Sequence, residues 1–218
     1  FSFMKPHQGI DASLAYQSAG LTLSGLIDIQ TCSAPDRLAL KDHDTQYTYA
    51  QLDRRTTRLA HYLADQGLCR GDRVAVLSEN RLEYVELLLA AAKIGVIAAC
   101  QNWRLSQTEL QHCVDLVSPK LLVASPRNAQ MAQAVCGDVP VVIWGAEMAR
   151  DIAAQPDSKI PDPCDPEDGI VILYTSGTTG MPKGALISHR AEIARAQIQM
   201  LDLPANPEDA FVAWAPLF

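Results

Sequence analysis

The chain has 218 residues, 48% of them hydrophobic and 20% charged, with a net charge of −7. That length supports one large or two small domains with a substantial core, and an acidic balance with no stripe of Lys and Arg excludes nucleic acid as the main partner. No apolar run approaches the ~18 residues that cross a bilayer, because the longest, residues 85–100, is interrupted by Glu86, Lys93 and Gly95.

Phe1-Ser2-Phe3-Met4-Lys5-Pro6 lacks the basic segment and long apolar run of a secretory signal, and Met4 is the expected native start. Six cysteines without a C-x-x-C pair predict reduced thiols and a cytoplasmic location. Neither they nor the five histidines show metal-ligand spacing, so no metal residues are assigned. His112, beside Cys113, reads as an ordinary helix position.

In chain order, a short helix spans Asp28–Cys32, and two short strands, Leu38–Leu40 and Gln46–Thr48, flank the turn Asp42–Thr45. Thr48 and Gln51 form a capping box for a helix that places Leu52, Leu59, Tyr62 and Leu63 on one side, closed by Gly67. A strand follows at Val74–Leu77. Asn80 and Glu83 repeat the capping pattern before the helix Leu82–Lys93, whose run Leu87–Ala92 predicts burial on more than one face. Val96–Cys100 returns as a strand. Ser106 with Glu109 caps a helix to about Val117, Leu121–Ala124 is a strand, Arg127–Val135 a helix and Val139–Trp144 a strand. Strands alternating with helices predict an α/β fold with mostly parallel sheets flanked by helices.

Between Gln155 and Asp168 four prolines interleave with Asp157, Asp162, Asp165, Glu167 and Asp168. This predicts a surface linker over 155–168, separating an N-terminal α/β subdomain (1–154) from the start of a second one (169–218). In the second, Ile170–Leu173 and Ala185–Ile187 read as buried strands. Ser188 caps a helix to about Leu201 with His189, read as structural, and Arg190 in its first turn. A loop over Pro204–Asp209 leads to a last strand, Phe211–Ala215.

Between the two strands of 169–218 lies Tyr174-Thr175-Ser176-Gly177-Thr178-Thr179-Gly180-Met181-Pro182-Lys183-Gly184. Glycines let successive N–H groups converge on one anion, hydroxyls reorient toward phosphate oxygens, and Lys183 adds a point charge stiffened by Pro182. The chemistry suits a polyphosphate. It is not a Walker A loop, since Pro182 stands where glycine would be required, nor a G-x-S-x-G nucleophile elbow, since Tyr174 stands where glycine would be.

This stretch, with Ser188-His189-Arg190, closely resembles the signature loop of the adenylate-forming, AMP-binding superfamily of acyl-CoA synthetases, peptide-synthetase adenylation domains and firefly-type luciferases. Thr48-Tyr49-Ala50-Gln51-Leu52-Asp53 and Gly71-Asp72-Arg73-Val74-Ala75 are similar to landmarks of the same superfamily's N-terminal half. Gln101-Asn102-Trp103-Arg104-Leu105 is similar to a segment of acyl- and aryl-CoA ligases, and Ala215-Pro216-Leu217-Phe218 to one that ordinarily continues into a histidine near the acyl pocket.

The resemblance implies ATP-dependent activation of a carboxylic acid to an acyl-adenylate, then transfer to CoA, as in AMP-forming fatty-acid or aryl-acid ligases. It implies that Thr175, Ser176, Gly177, Thr178, Thr179, Gly180 and Lys183 bind the ATP phosphates, with Lys183 as the catalytic cation, and that Mg2+ bridges phosphate oxygens through ligands mostly outside this chain. It also implies that the chain is an N-terminal portion, with the acidic magnesium motif, the ribose-binding aspartate and a mobile C-terminal domain lying beyond Phe218. Trp214 and Phe218 either line the acyl pocket or fill the core. Three other functional readings stand beside the ligase: a nucleotide- or pyrophosphate-binding fragment without catalysis, an adenylation domain serving another acceptor, and a phosphohydrolase. The last lacks the clustered carboxylates or histidines of a water-activating metal site. A homo-oligomer is compatible with the sequence.

Overall fold

A computed structural model describes residues 20–175, 180–202, 206, 209–213 and 215–218. Helix α1 (Leu23–Ser33) begins ahead of the expected Asp28, because Thr22 caps it by accepting the Gly25 N–H on its hydroxyl. Strands β1 (Leu38–Asp42) and β2 (Thr45–Thr48) form an antiparallel ribbon. Helix α2 (Tyr49–Asp65) starts on the expected capping box, with both the Thr48 and Gln51 hydrogen bonds formed. Gly67 ends it with a φ of 84°, a left-handed conformation that a Cβ would disfavour.

The α/β body follows: β3 (Arg73–Leu77), α3 (Leu82–Lys93), β4 (Ile97–Gln101), α4 (Gln107–Val117), β5 (Leu121–Ala124), α5 (Ala129–Val135) and β6 (Val141–Ile143). Then come α6 (Ala146–Ala153), β7 (Gly169–Thr175), β8 (Lys183–Ser188) and α7 (His189–Asp202). One six-stranded sheet runs β6-β5-β3-β4-β7-β8. Every neighbouring pair is parallel except β7–β8. The predicted mostly parallel α/β fold is thus present, and the chain beyond the Pro/Asp-rich stretch enters this same sheet, with β7 beside β4.

Side-chain alternation divides the core into two layers. Val74 and Val76 of β3, with Val123 of β5, pack with Leu59 and Leu63 of α2, Leu87 and Ala91 of α3 and Met148 of α6. Ala75 and Leu77, with Leu122, point the other way, onto Leu110 and Val114 of α4 and Val135 of α5. The period of two in each strand is what covers both faces with helices. The stretch 155–168 is tied to this body by Arg70, whose guanidinium lies 2.7 Å from the Asp168 carboxylate and holds that carboxyl below its usual range. All six cysteines are free thiols, as expected.

The structure corrects four expectations. Asn80 does not cap α3: Arg81 occupies the cap position, without a side-chain bond. Trp144 lies outside β6 and is buried, and the unexpected helix α6 follows at once, with Met148 and Ile152 one turn apart on the side facing the core. Strand β8 is not buried. Among the described residues it has a neighbour on one side only, and Lys183 to Leu186 are exposed; in Ile170–Leu173, also expected to be buried, only Ile170 is. No strand forms over Phe211–Ala213; Phe211 and Val212 are exposed there.

Candidate nucleotide-binding hairpin

The carboxyl ends of parallel strands, where an open α/β sheet leaves a crevice, are the usual seat of a ligand site. Here β4 and β7 run in register at Ala98 opposite Val171 and Ala99 opposite Ile172. The same register sets Gln101 beside Tyr174, at the carboxyl edge of the sheet. Beyond Thr175 the chain leaves β7 and returns as β8, which pairs Gly184 with Tyr174 and Lys183 with Thr175. The ladder is longer than the apolar runs Ile170–Leu173 and Ala185–Ile187 suggested, because antiparallel backbone pairing continues past the last apolar side chain.

Thr175 and Lys183 therefore face each other across the mouth of the hairpin, and both are exposed. Gly180, also exposed, has a φ of 95°, which glycine adopts without strain. At Gly184 the close neighbour is a side chain: a Cβ there would meet Ile172 Cγ2 at 3.1 Å, a tight contact that Ile172 would have to yield to by a few tenths of an ångström. Of the seven residues expected to bind phosphate, Thr175 and Lys183 are paired across the hairpin and Gly180 is exposed. Ser176, Gly177, Thr178 and Thr179 lie outside the described residues.

Among the described residues, three side-chain hydrogen bonds join the hairpin to the body. The Tyr174 hydroxyl donates to the Cys113 carbonyl at 3.0 Å and accepts from Gln101 Nε2 at 2.9 Å. Burial pushes this phenol well above its ordinary range, so it stays protonated and the donor persists at any ordinary pH. On the other arm, His112 Nε2 lies 3.1 Å from the Pro182 carbonyl oxygen. A carbonyl only accepts, so the proton sits on Nε2. His112 is therefore more than a helix position, and nothing in the local pattern around it marked this contact.

His189, read as structural, is fully buried where β8 passes into α7. Its Nδ1 accepts the Leu23 N–H at 3.0 Å, which fastens α7 to α1, and burial lowers its pKa against the opposing pull of Asp162 and Asp168. Ser188 caps α7 as expected, accepting the Ala191 N–H at 3.2 Å.

The same carboxyl edge of the sheet holds the last described residues. Asn80 Nδ2 donates to the Ala215 carbonyl at 2.7 Å, and Asn80 Oδ1 accepts the Leu217 N–H at 3.0 Å. The polar residue that looked like a cap instead holds the backbone of Ala213, Ala215 and Leu217. The Phe218 ring meets Trp103 edge-on at 6.3 Å and packs against the core layer of α2 and α3. Trp214 lies outside the described residues. Among the described residues no group of three or more His, Cys, Asp or Glu side chains could hold a metal ion, and no helix is long and apolar enough to cross a membrane.

A family described as AMP-binding enzyme matches residues 28–218. The chain is 33% identical over 186 residues to a 3-oxocholest-4-en-26-oate–CoA ligase of Rhodococcus rhodochrous, covering 78% of this chain and 33% of that protein. It is 34% identical over 186 residues to a 2-succinylbenzoate–CoA ligase of Geobacillus kaustophilus, covering 84% of this chain and 36% of that one. Among solved structures, a fatty acyl CoA synthetase of Mycobacterium tuberculosis superimposes with a TM-score of 0.70 at 27% identity, covering 77% of this chain and 34% of the other. The chain thus spans about a third of the length of the curated relatives it matches.

Proposed function

The chain belongs to the AMP-binding enzyme family, and on that premise we propose that the whole protein is an AMP-forming acid–CoA ligase whose ATP phosphates are gripped by the β7–β8 hairpin. A carboxylate oxygen attacks the α-phosphorus of ATP, the bond from that phosphorus to the bridging oxygen breaks, and pyrophosphate leaves. The CoA thiolate then attacks the acyl carbonyl and AMP departs. The relatives are named as CoA ligases of 3-oxocholest-4-en-26-oate and of 2-succinylbenzoate, which supports a carboxylic acid as the substrate.

One observation carries the reading. The mouth of the hairpin sets the Thr175 hydroxyl and the Lys183 ammonium on facing arms, at the sheet edge where ligands of open α/β sheets bind. In this assignment Thr175, Ser176, Gly177, Thr178, Thr179 and Gly180 supply hydroxyl and amide donors to the β- and γ-phosphates. Lys183 meets the charge that grows on the leaving pyrophosphate, and donors placed in advance for such charge lower the barrier. Among the described residues there is no cluster of metal ligands; in this reading magnesium would be held mostly by ligands outside this chain and would neutralise phosphate charge.

The test is exchange of labelled pyrophosphate into ATP by the complete protein. Exchange is expected only when a carboxylic acid is present, with acyl-CoA and AMP formed once CoA is added. Acid-independent exchange, or hydrolysis of ATP to phosphate, would overturn the assignment.

A further inference from the structure

The β7–β8 ladder alone is a weak mount for a site that must hold its donors in place. Strand β8 is an edge strand with an exposed outer face, and a two-stranded hairpin is only marginally stable by itself. Glycines at 180 and 184 add backbone freedom to the returning arm. Yet a displacement of 1 Å at a reacting group can cost about a hundredfold in rate. Something besides the ladder has to fix the arms.

The side chains that do so come from the buried body. Tyr174 directly precedes Thr175, and its hydroxyl is held between Gln101 of β4 and the Cys113 carbonyl of α4. Pro182 directly precedes Lys183. Having no N–H, it offers its carbonyl as its one backbone hydrogen-bonding group, and His112 of α4 takes that carbonyl. The supporting elements are themselves rigid. Gln101 is fully buried, and α4 is fixed by the Ser106–Glu109 capping box and by buried Leu110, Cys113 and Val114. One helix thus grips each arm of the hairpin one residue before a proposed phosphate contact.

We propose that His112 and Tyr174 are positioning residues, which set the spacing of Thr175 and Lys183 by pinning both arms of the hairpin to α4. This rests on the reading of those two residues as phosphate contacts. His112 touches no substrate in this arrangement, and its whole effect passes through the Pro182 carbonyl.

The test compares His112→Ala with His112→Gln in the complete protein. Glutamine carries an N–H donor at a reach similar to that of Nε2, whereas alanine carries none. In acid-dependent pyrophosphate exchange, His112→Ala raises KM for ATP about three- to tenfold, the worth of one hydrogen bond, and leaves KM for the acid unchanged. His112→Gln restores KM for ATP to within about twofold of wild type. In the nucleotide-free protein, the amides of Lys183 and Gly184 exchange hydrogen faster in His112→Ala and at the wild-type rate in His112→Gln. Equal behaviour of the two variants in both measurements, or an equal rise in KM for acid and ATP, overturns the proposal. A wild-type protein without acid-dependent exchange sinks the ligase reading instead. Hydrogen exchange then still decides the clamp, and an unaltered hairpin in His112→Ala refutes it.

Discussion

Strand β3 and strand β8 lie in one sheet, three positions apart, and are held there by different forces. From Val74 to Leu77 every β3 residue is fully buried, flanked by β4 and β5 and covered by helices on both faces. In β8, Lys183 to Leu186 are exposed, and among the described residues the strand pairs with β7 alone. The first is stabilised by area removed from water, which is non-directional and spread over many contacts. The second depends on backbone pairing and on a few directional hydrogen bonds from Gln101, Tyr174 and His112. The body gains permanence from burial, while the hairpin keeps Thr175, Gly180 and Lys183 exposed.

The comparison can be broken most forcefully in the body. Leu87→Ala removes a fully buried side chain of α3 and is expected to cost about 2–5 kcal/mol of stability, read by urea or thermal unfolding. Activity should be lost only as the folded population falls. A stable, fully folded Leu87→Ala protein would show that the core is not what holds the sheet.

Lys183→Ala is the converse. It is expected to lower kcat/KM for ATP roughly 10- to 150-fold, as loss of a charge-assisted contact of about 1.5–3 kcal/mol would. Acid binding should be unaffected, and stability should stay within about 0.5 kcal/mol of wild type. Equal loss of ATP use and acid binding would remove Lys183 from its assigned place.

A smaller effect is expected from Tyr174→Phe, which leaves Gln101 Nε2 and the Cys113 carbonyl short of a partner at the boundary between the two regions. It should cost about 1–2 kcal/mol by unfolding and also raise KM for ATP. A change in stability without a change in KM would place Tyr174 with the body alone.

The smallest effect is one of pH. Burial holds the His189 pKa below 6.5, so below that pH the unfolded chain binds a proton that the folded one refuses. Stability should be fully present above about pH 6.5 and decline as the pH falls toward the folded value. His189→Asn, which keeps an acceptor for the Leu23 N–H, should flatten that decline in urea midpoints measured at successive pH values. An unchanged slope would mean that other groups set it.

Much of this body was legible along the chain because its signals are local. The capping boxes at Thr48–Gln51 and Ser106–Glu109 each join residues three apart, and both form. Val74–Leu77 and Leu121–Ala124 read as strands because parallel strands covered on both faces are continuously apolar. Helix α6 has a weak local signal, with only two large apolar side chains, Met148 and Ile152, in a short segment. Asn80 was misread because the same local pattern serves a helix cap or a distant backbone partner, and the chain 133 residues further on supplied that partner.

The amino-acid order by itself determined the α/β class and the loop chemistry, since both rest on residue types within a dozen positions of one another. Which side chains mount that loop was decided only by the folded arrangement. His112 reaches Pro182 across 70 residues because β7 lies beside β4, and strand order follows from how whole layers pack, which no local pattern records.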